Sequence, residues 1–399
     1  MSSTFRLVVR PKGRGAVNAG HPWVMADSLV LPAESIPVGG AVELTMPDGQ
    51  LIAKGLANFA SRISVRTYTQ SMAVDLDSDF FQRRLSRAVE LRKSQFFAST
   101  SSAIRLVFSE GDHLSGLIVD RYGDYIVVQQ TAAALSPYLP GLIDYLRSAL
   151  EPRGIVWMID ASTAKLEGIE PKHEWVFGEA PNGPVEMIEN DLRFEVDLQS
   201  GQKTGYYLDQ RDNRAAAARW IPKGSKVLDV CCYVGGFALT IAKHSPDSDV
   251  LGIDTSSKAV EAAQRYASIN QLSNVRFEVG DFLKTLEAKQ VAGDIYDAIV
   301  LDPPKMAGSR DSVDRALRAY HRMNFLAVRL LRPGGILVTC SCSGRVSRDD
   351  FHRVLRGVSK QSRRSIQILE QRGAAPDHPV STACPETDYL KCFICRVGD

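Results

Sequence analysis

The chain has 399 residues, more than one ordinary hydrophobic core accommodates, so two or three domains are expected. A net charge of +2 excludes nucleic-acid binding through a global positive field and leaves only local basic patches. No stretch reaches the length of a membrane span, Met1 to Gly20 lacks the apolar segment of a signal peptide, and seven cysteines without an export signal point to reduced thiols in the cytoplasm.

From Thr4 to about Thr69 the pattern is strand and turn. Phe5-Arg6-Leu7-Val8-Val9, Ala41 to Leu44 and Ile63 to Tyr68 alternate, and Pro47-Asp48-Gly49 is a hairpin turn signal, so residues 1–72 are expected to form a small β-barrel. Its basic residues (Arg6, Arg10, Lys12, Arg14, Lys54, Arg62, Arg66) outnumber its acids seven to four. With His21-Pro22-Trp23-Val24 alongside, that excess reads as an RNA-binding module, since irregular RNA is held by basic grooves and stacking rings. Phe80 to Phe97 has helical spacing and a basic face of Arg83, Arg84, Arg87, Arg92 and Lys93. Strands around Tyr122-Gly123-Asp124, a helix from Leu142 to Leu150 and a strand at Ile155 to Ile159 complete a small α+β domain over residues 73–184.

Residues 185–399 begin with alternation from Val185 to Leu198 around Glu189-Asn190-Asp191, a hairpin. From Lys226 to Thr339 five strands alternate with helices, the pattern of a doubly wound α/β sheet that binds ligands beyond the carboxyl ends of its strands. The tail is expected to add an antiparallel pair at the sheet edge. Four strands in succession run to an acid: Asp229, Asp254, Asp281 and Asp302. One such acid is ordinarily a helix cap; four together point to a ligand. The loop after the first strand holds only Gly235 and Gly236, not the three spaced glycines that admit a pyrophosphate. An adenosine ligand without phosphates and with a positive sulfonium fits best, so S-adenosylmethionine is the expected cofactor and NAD a distant second. Cys392 and Cys395 lie three apart on a strand, facing opposite sides, and no metal site is expected.

Residues along the whole length now carry a resemblance: His21-Pro22-Trp23-Val24, Lys203-Thr204-Gly205-Tyr206-Tyr207-Leu208-Asp209-Gln210-Arg211, Gly235-Gly236-Phe237, Asp302-Pro303-Pro304-Lys305 and Ser341-Cys342-Ser343-Gly344. The chain resembles the bacterial 23S ribosomal RNA cytosine-5 methyltransferases that carry an N-terminal PUA domain, the ribosomal RNA large subunit methyltransferase I family. The likeness implies a PUA domain, a central α+β domain and a Rossmann-like S-adenosylmethionine methyltransferase domain. It places Tyr206, Gln210 and Arg211 beside the cofactor with Asp229, Gly235, Gly236, Asp254 and Asp281, and makes 23S rRNA the partner. A homodimer is left open.

Carbon 5 of cytosine needs a nucleophile added at carbon 6, and a thiolate serves well. Cys342 is the expected nucleophile because it falls at the turn, whereas Cys340 still lies in the strand. Asp302 is expected to hold the base at N3 and its amine and to supply a proton. Many cytosine-5 RNA methyltransferases have a second cysteine after the proline of an Asp-x-Pro-Cys motif. Here Lys305 stands in that place, and it is assigned with Lys203 to the substrate. Rival readings are methylation of an exocyclic amine, whose enzymes follow Asp-Pro-Pro with an aromatic residue, and an RNA-binding adaptor with an inactive methyltransferase fold.

Overall fold

The computed structural model describes residues 4–93, 101–199, 206–308 and 310–399. Contacts divide the chain into two units, the first Met1–Met187 with Glu195–Leu208 and Pro376–Thr387, the second Ile188–Phe194 with Asp209–Ala375 and Asp388–Asp399. Among the described residues no helix is long and apolar enough to cross a membrane.

The first unit begins with β1 (Phe5–Val8), α1 (Pro11–Asn18), β2 (Trp23–Met25), β3 (Ala41–Thr45), β4 (Leu51–Ala57) and β5 (Ile63–Thr69). Their sheet runs β1-β3-β4-β5-β2, and a bridge from Val9 to Leu29 joins the chain just beyond its two edge strands, closing the expected barrel. Proline at the first position of α1 starts that helix without losing a hydrogen bond. Gly49, at φ +86°, makes the hairpin between β3 and β4. Then come α2 (Ser78–Lys93), β6 (Ala103–Phe108), β7 (Leu117–Tyr122), β8 (Tyr125–Gln130), α3 (Leu139–Leu150), β9 (Gly154–Ile159), α4 (Ala161–Glu167) and β10 (Lys172–Gly178), whose sheet runs β10-β9-β8-β7-β6.

Much of the basic excess of this unit is spent internally. Arg66 is buried and donates to Glu110 and Glu167, each at 3.2 Å, while Asn58 and Ser61 donate to the same Glu167. Arg92 is buried against Asp112, Arg84 donates to the His113 and Tyr68 carbonyls, and Lys54 reaches Asp75. A buried ion must be paired, so these arginines are structural rather than part of an RNA track. Arg10, Arg14, Arg62, Arg83 and Arg87 remain exposed. Trp23 likewise donates its indole N–H to Glu110 at 2.8 Å.

The hairpin β11 (Val185–Glu189) and β12 (Leu192–Val196) turns at Asn190 and Asp191, both with positive φ, as a two-residue hairpin requires. The second unit holds α5 (Arg211–Trp220), β13 (Lys226–Val230), α6 (Gly236–His244), β14 (Asp249–Asp254), α7 (Ser257–Ile269), β15 (Val275–Val279), α8 (Phe282–Val291), β16 (Tyr296–Leu301), α9 (Val313–Leu330), β17 (Leu331–Ser341), α10 (Arg348–Ser362), β18 (Ile366–Arg372) and β19 (Lys391–Val397). The sheet runs β15-β14-β13-β16-β17-β19-β18. Its first five strands are parallel, and β19 inserts antiparallel between β17 and β18. Strand order reverses between β13 and β16, the switch point where such sheets bind ligands. Val227-Leu228 and Ile299-Val300-Leu301 are fully buried, as strands covered on both faces must be.

Gly252 in β14 admits the Phe277 ring of β15 at close range. A Cβ there would lie 2.4 Å from that ring and 3.1 Å from the Cys232 sulfur. Gly252→Ala is therefore expected to cost about 1–3 kcal/mol of stability through overpacking, read as a lower Tm. An unchanged Tm would show that the ring yields freely.

Candidate active site

The loop from Cys231 to Gly236 leaves β13 under strain. Cys231 and Tyr233 adopt positive φ of 62° and 51°, costly for residues with a Cβ, and Gly235 follows at 83°. Side chains around the loop hold it there. Asp254, half-buried at the end of β14, accepts from the Tyr233 N–H and the Ser256 N–H, both at 2.9 Å. Asp229 accepts from the Ala238 N–H at 3.0 Å and so anchors the first turn of α6.

Two of the four acids also serve the fold. Asp229 lies inside β13, fully buried, because a carboxylate there can meet the free N–H groups of α6; it supports the loop from behind instead of lining a strand end. Asp281 stands two residues beyond β15 and caps α8 through the Lys284 N–H at 3.0 Å, the ordinary role of an aspartate at that position. All four acids nevertheless surround one place. The Cys231 thiol is pushed well above its ordinary range by burial, then by Asp254, Asp302, Asp229 and Asp281. Burial and the neighbouring Asp302 lift Asp229 to about 8. Such a bowl favours a cation.

Arg214 on α5 partly offsets the bowl, lowering both Asp229 and Asp302. It is buried, donates to Glu189 at 2.9 Å, and packs so closely beneath Gly236 that a Cβ there would meet its Nε at 2.7 Å. Gln210 is buried and donates to Asp302 Oδ1 at 3.0 Å while accepting from Asn213 at 2.6 Å. The neighbouring Arg211 is also buried, with Asp212 at 3.1 Å. Asp209 accepts from the Tyr389 hydroxyl, and its other oxygen is buried with no hydrogen-bond partner among the described residues. Tyr206 is buried and belongs to the first unit; Lys203 lies outside the described residues.

At the next pair of strand ends the thiol and the carboxylic acid come together. β16 and β17 are parallel neighbours, with Leu301 opposite Thr339, so Asp302 and Cys342 leave adjacent strands on the same side. The half-buried Cys342 thiol faces the Pro303 carbonyl at 3.8 Å. Ser343 ties the two turns: its Oγ accepts from the Met306 and Ala307 N–H groups, both at 3.1 Å, and meets the Tyr320 hydroxyl at 3.2 Å. Its carbonyl accepts from the buried Lys391 ammonium at 2.8 Å. Burial pushes Cys342 up to about 11, helped by Asp302 and Asp209 and opposed by Lys391. Burial and Asp209 raise Asp302 to about 7, so it is a proton donor near neutrality. Cys340, by contrast, is fully buried opposite Cys392, and its thiol is raised well above the ordinary range. Lys305, three residues after Asp302, is exposed.

Arg214, Ser343, Lys391 and the Asp209–Tyr389 contact were not assigned from sequence. One signal did exist: Lys391 occupies an inward position of the apolar run Tyr389 to Val397, where a lysine is out of place.

His21, Cys384 and Glu386 form a separate cluster in the first unit, with ligand atoms within 4.8 Å of one another. The Trp23 N–H donates to His21 Nδ1 at 3.1 Å, which leaves the proton on Nε2, and Nε2 faces Glu386 at 3.1 Å. A metal would need the lone pair that this tautomer lacks, so the cluster reads as a hydrogen-bonded strut.

A model of a methyltransferase domain matches residues 221–373, and one of a PUA-like domain matches residues 7–70. The chain is 35% identical over 396 residues to the ribosomal RNA large subunit methyltransferase I of Shewanella denitrificans, covering 98% of this chain and 99% of that one. It is 36% identical over 400 residues to that of Aeromonas hydrophila, covering 99% and 100%. A methyltransferase structure from Streptococcus mutans superposes with a TM-score of 0.83 at 17% identity over 98% of this chain and 100% of that one. Another methyltransferase, solved in complex with SAH, reaches 0.85 at 17% identity over the same shares, and both show the same fold. With the strained loop, the acids and the Asp302 and Cys342 turns all in the second unit, and relatives matched over nearly their whole length, this chain belongs to the ribosomal RNA large subunit methyltransferase I family.

Proposed function

We propose that this protein is an S-adenosylmethionine-dependent methyltransferase that modifies carbon 5 of a cytosine in large-subunit (23S) ribosomal RNA through a transient bond to Cys342. The observation that carries the reading is a half-buried thiol at a turn, against the carbonyl of Pro303 and so beside Asp302, a carboxylic acid that burial raises to about 7. The bowl of acids and the glycine loop fit the cofactor: Asp254 and Asp281 would hold its adenosine portion, Gly235 and Gly236 would let it approach the backbone, and the negative field suits its sulfonium. When bound, S-adenosylmethionine supplies an electrophilic methyl group.

The protein's residues do the rest. The Cys342 sulfur adds to carbon 6 of the extruded base, and its proton must leave for this to occur. Asp302 donates to N3 as negative charge develops there, and Gln210 keeps its carboxyl oriented. Once carbon 5 carries the methyl group, loss of its proton to a base re-forms the double bond, the Cys342 thiolate leaves carbon 6, and N3 returns its proton to Asp302. Extruding the base costs roughly a few kcal/mol, less where it is unpaired. The PUA-like barrel and the central α+β domain would carry the RNA, with Arg10, Arg14, Arg62, Arg83 and Arg87 as phosphate contacts and Lys305 at the mouth of the site. Lys203 would serve the substrate and Tyr206 and Arg211 the cofactor. With rRNA as its substrate the enzyme would act in the cytoplasm.

Amine methylation is disfavoured because Lys305, exposed and without a ring, cannot stack on a base. An inactive adaptor is disfavoured by the tightly held Asp302 and Cys342 turns. Mass mapping of 23S rRNA from cells with and without the protein tests the proposal. One 5-methylcytosine should disappear when the protein is absent; loss of an N-methylated base, or no loss, would overturn it.

A further inference from the structure

Lys391 is the first residue of β19 and lies opposite Ser341 of β17. It is 1% exposed, its Nζ donates to the carbonyls of Ser343 and Tyr389, both at 2.8 Å, and it forms no ion pair among the described residues. Enclosing an ammonium is costly, and two neutral carbonyls compensate it less well than a carboxylate would. An apolar side chain would pack this strand at less cost. The groups around the ammonium are Cys342 at the end of β17, Asp388 before β19, and Arg348 and Asp350 on α10. Asp302 and Asp209 act on the thiol, and Tyr320 of α9 reaches the Ser343 hydroxyl.

We infer that Lys391 is a positioning residue for Cys342: its buried ammonium grips the carbonyl of the turn that presents the thiol and supplies the positive charge against which the thiolate forms. The inference rests on Cys342 being the nucleophile. In the resting protein the thiol is neutral and the ammonium is poorly compensated, so ionising the thiol relieves an existing imbalance. The two acids oppose ionisation, and Lys391 works against them. Burial lowers the ammonium to about 8, so the charge is present below that pH and fades above it.

The readout is the rate of Cys342 alkylation by iodoacetamide between pH 6 and 11, followed by peptide mass because the chain has seven cysteines. In the wild-type protein the logarithm of the rate should rise with unit slope, flatten above about pH 8 as Lys391 loses its proton, and then rise again. A single ionisation of unit slope throughout overturns the inference, and this arm needs no variant. Lys391→Gln keeps two N–H donors for the two carbonyls but removes the charge. Its profile should be displaced upward by about one to two pH units and lose the flattened segment, with kcat for methyl transfer falling at least tenfold and KM for S-adenosylmethionine unchanged. A Gln variant that binds S-adenosylmethionine and alkylates like wild type also overturns it. Failure of the cysteine mechanism itself would show elsewhere, as methyl transfer that survives Cys342→Ala.

Discussion

Replacing Cys342 with alanine should abolish methyl transfer, with activity lost to the detection limit, while S-adenosylmethionine affinity stays within about twofold of wild type. The separation follows from position. Cys342 sits on the turn after β17 beside the Pro303 carbonyl, whereas Gly235, Gly236, Asp254 and Asp281, assigned to the cofactor, lie at the carboxyl ends of β13, β14 and β15. Cys340→Ala should remain active, because Cys340 is sealed against Cys392 and cannot reach a base. Removing that buried thiol costs stability only. RNA carrying 5-fluorocytosine at the target gives the sharper readout: fluorine blocks the final elimination, so a covalent adduct should accumulate with wild type and be absent with Cys342→Ala. Adduct formation that persists in the Ala variant, or inactivity of Cys340→Ala with Cys342→Ala active, would move the nucleophile to another residue.

Asp302→Asn is the second large effect, expected to lower kcat by about 10²–10⁴-fold, the usual contribution of a positioned acid. Asparagine keeps a donor for N3 and can still face Gln210, so binding should suffer less than turnover. The substitution also carries a pH signature. Asp302 is raised to about 7 in the folded protein, chiefly by burial and then by Asp209, while an unfolded aspartate titrates near 3.9. Between those values the native state holds a proton that the unfolded chain has released, so stability falls as pH rises through this window. Asp229, raised to about 8, adds to the same slope. Thermal unfolding from pH 4.5 to 8 should therefore show a falling Tm in wild type and a shallower fall in Asp302→Asn, with the Asp229 share remaining. An identical slope in both proteins would place the Asp302 titration outside this range and remove its role as a neutral-pH acid.

The basic residues of the first unit show where composition misleads. Counting charges treated Arg66, Arg92 and Lys54 as surface. Their partners Glu110, Asp112 and Asp75 are acids that chain order does not mark as neighbours. Deleting the barrel would strip Glu110 and Glu167 of Arg66 and leave buried carboxylates uncompensated, so substitutions at exposed Arg10, Arg14 or Arg62 are the cleaner probe of RNA contact. The acids of the second unit carry the opposite lesson. Their recurrence at successive strands looks like a single device, yet Asp229 supports the loop through the Ala238 N–H and Asp281 caps a helix through the Lys284 N–H.

By itself the sequence determined the strand and helix alternation, the barrel at the front and the Asp302 and Cys342 turns, because periodicity, glycines and prolines act over a few neighbouring residues. Tertiary structure alone decided which charges are spent on the fold and which face the site, and it brought Lys391 to a carbonyl 48 residues earlier in the chain. A side chain's ionisation and reach depend on what surrounds it in space, and those surroundings are assembled from segments whose order along the chain gives no sign that they will meet.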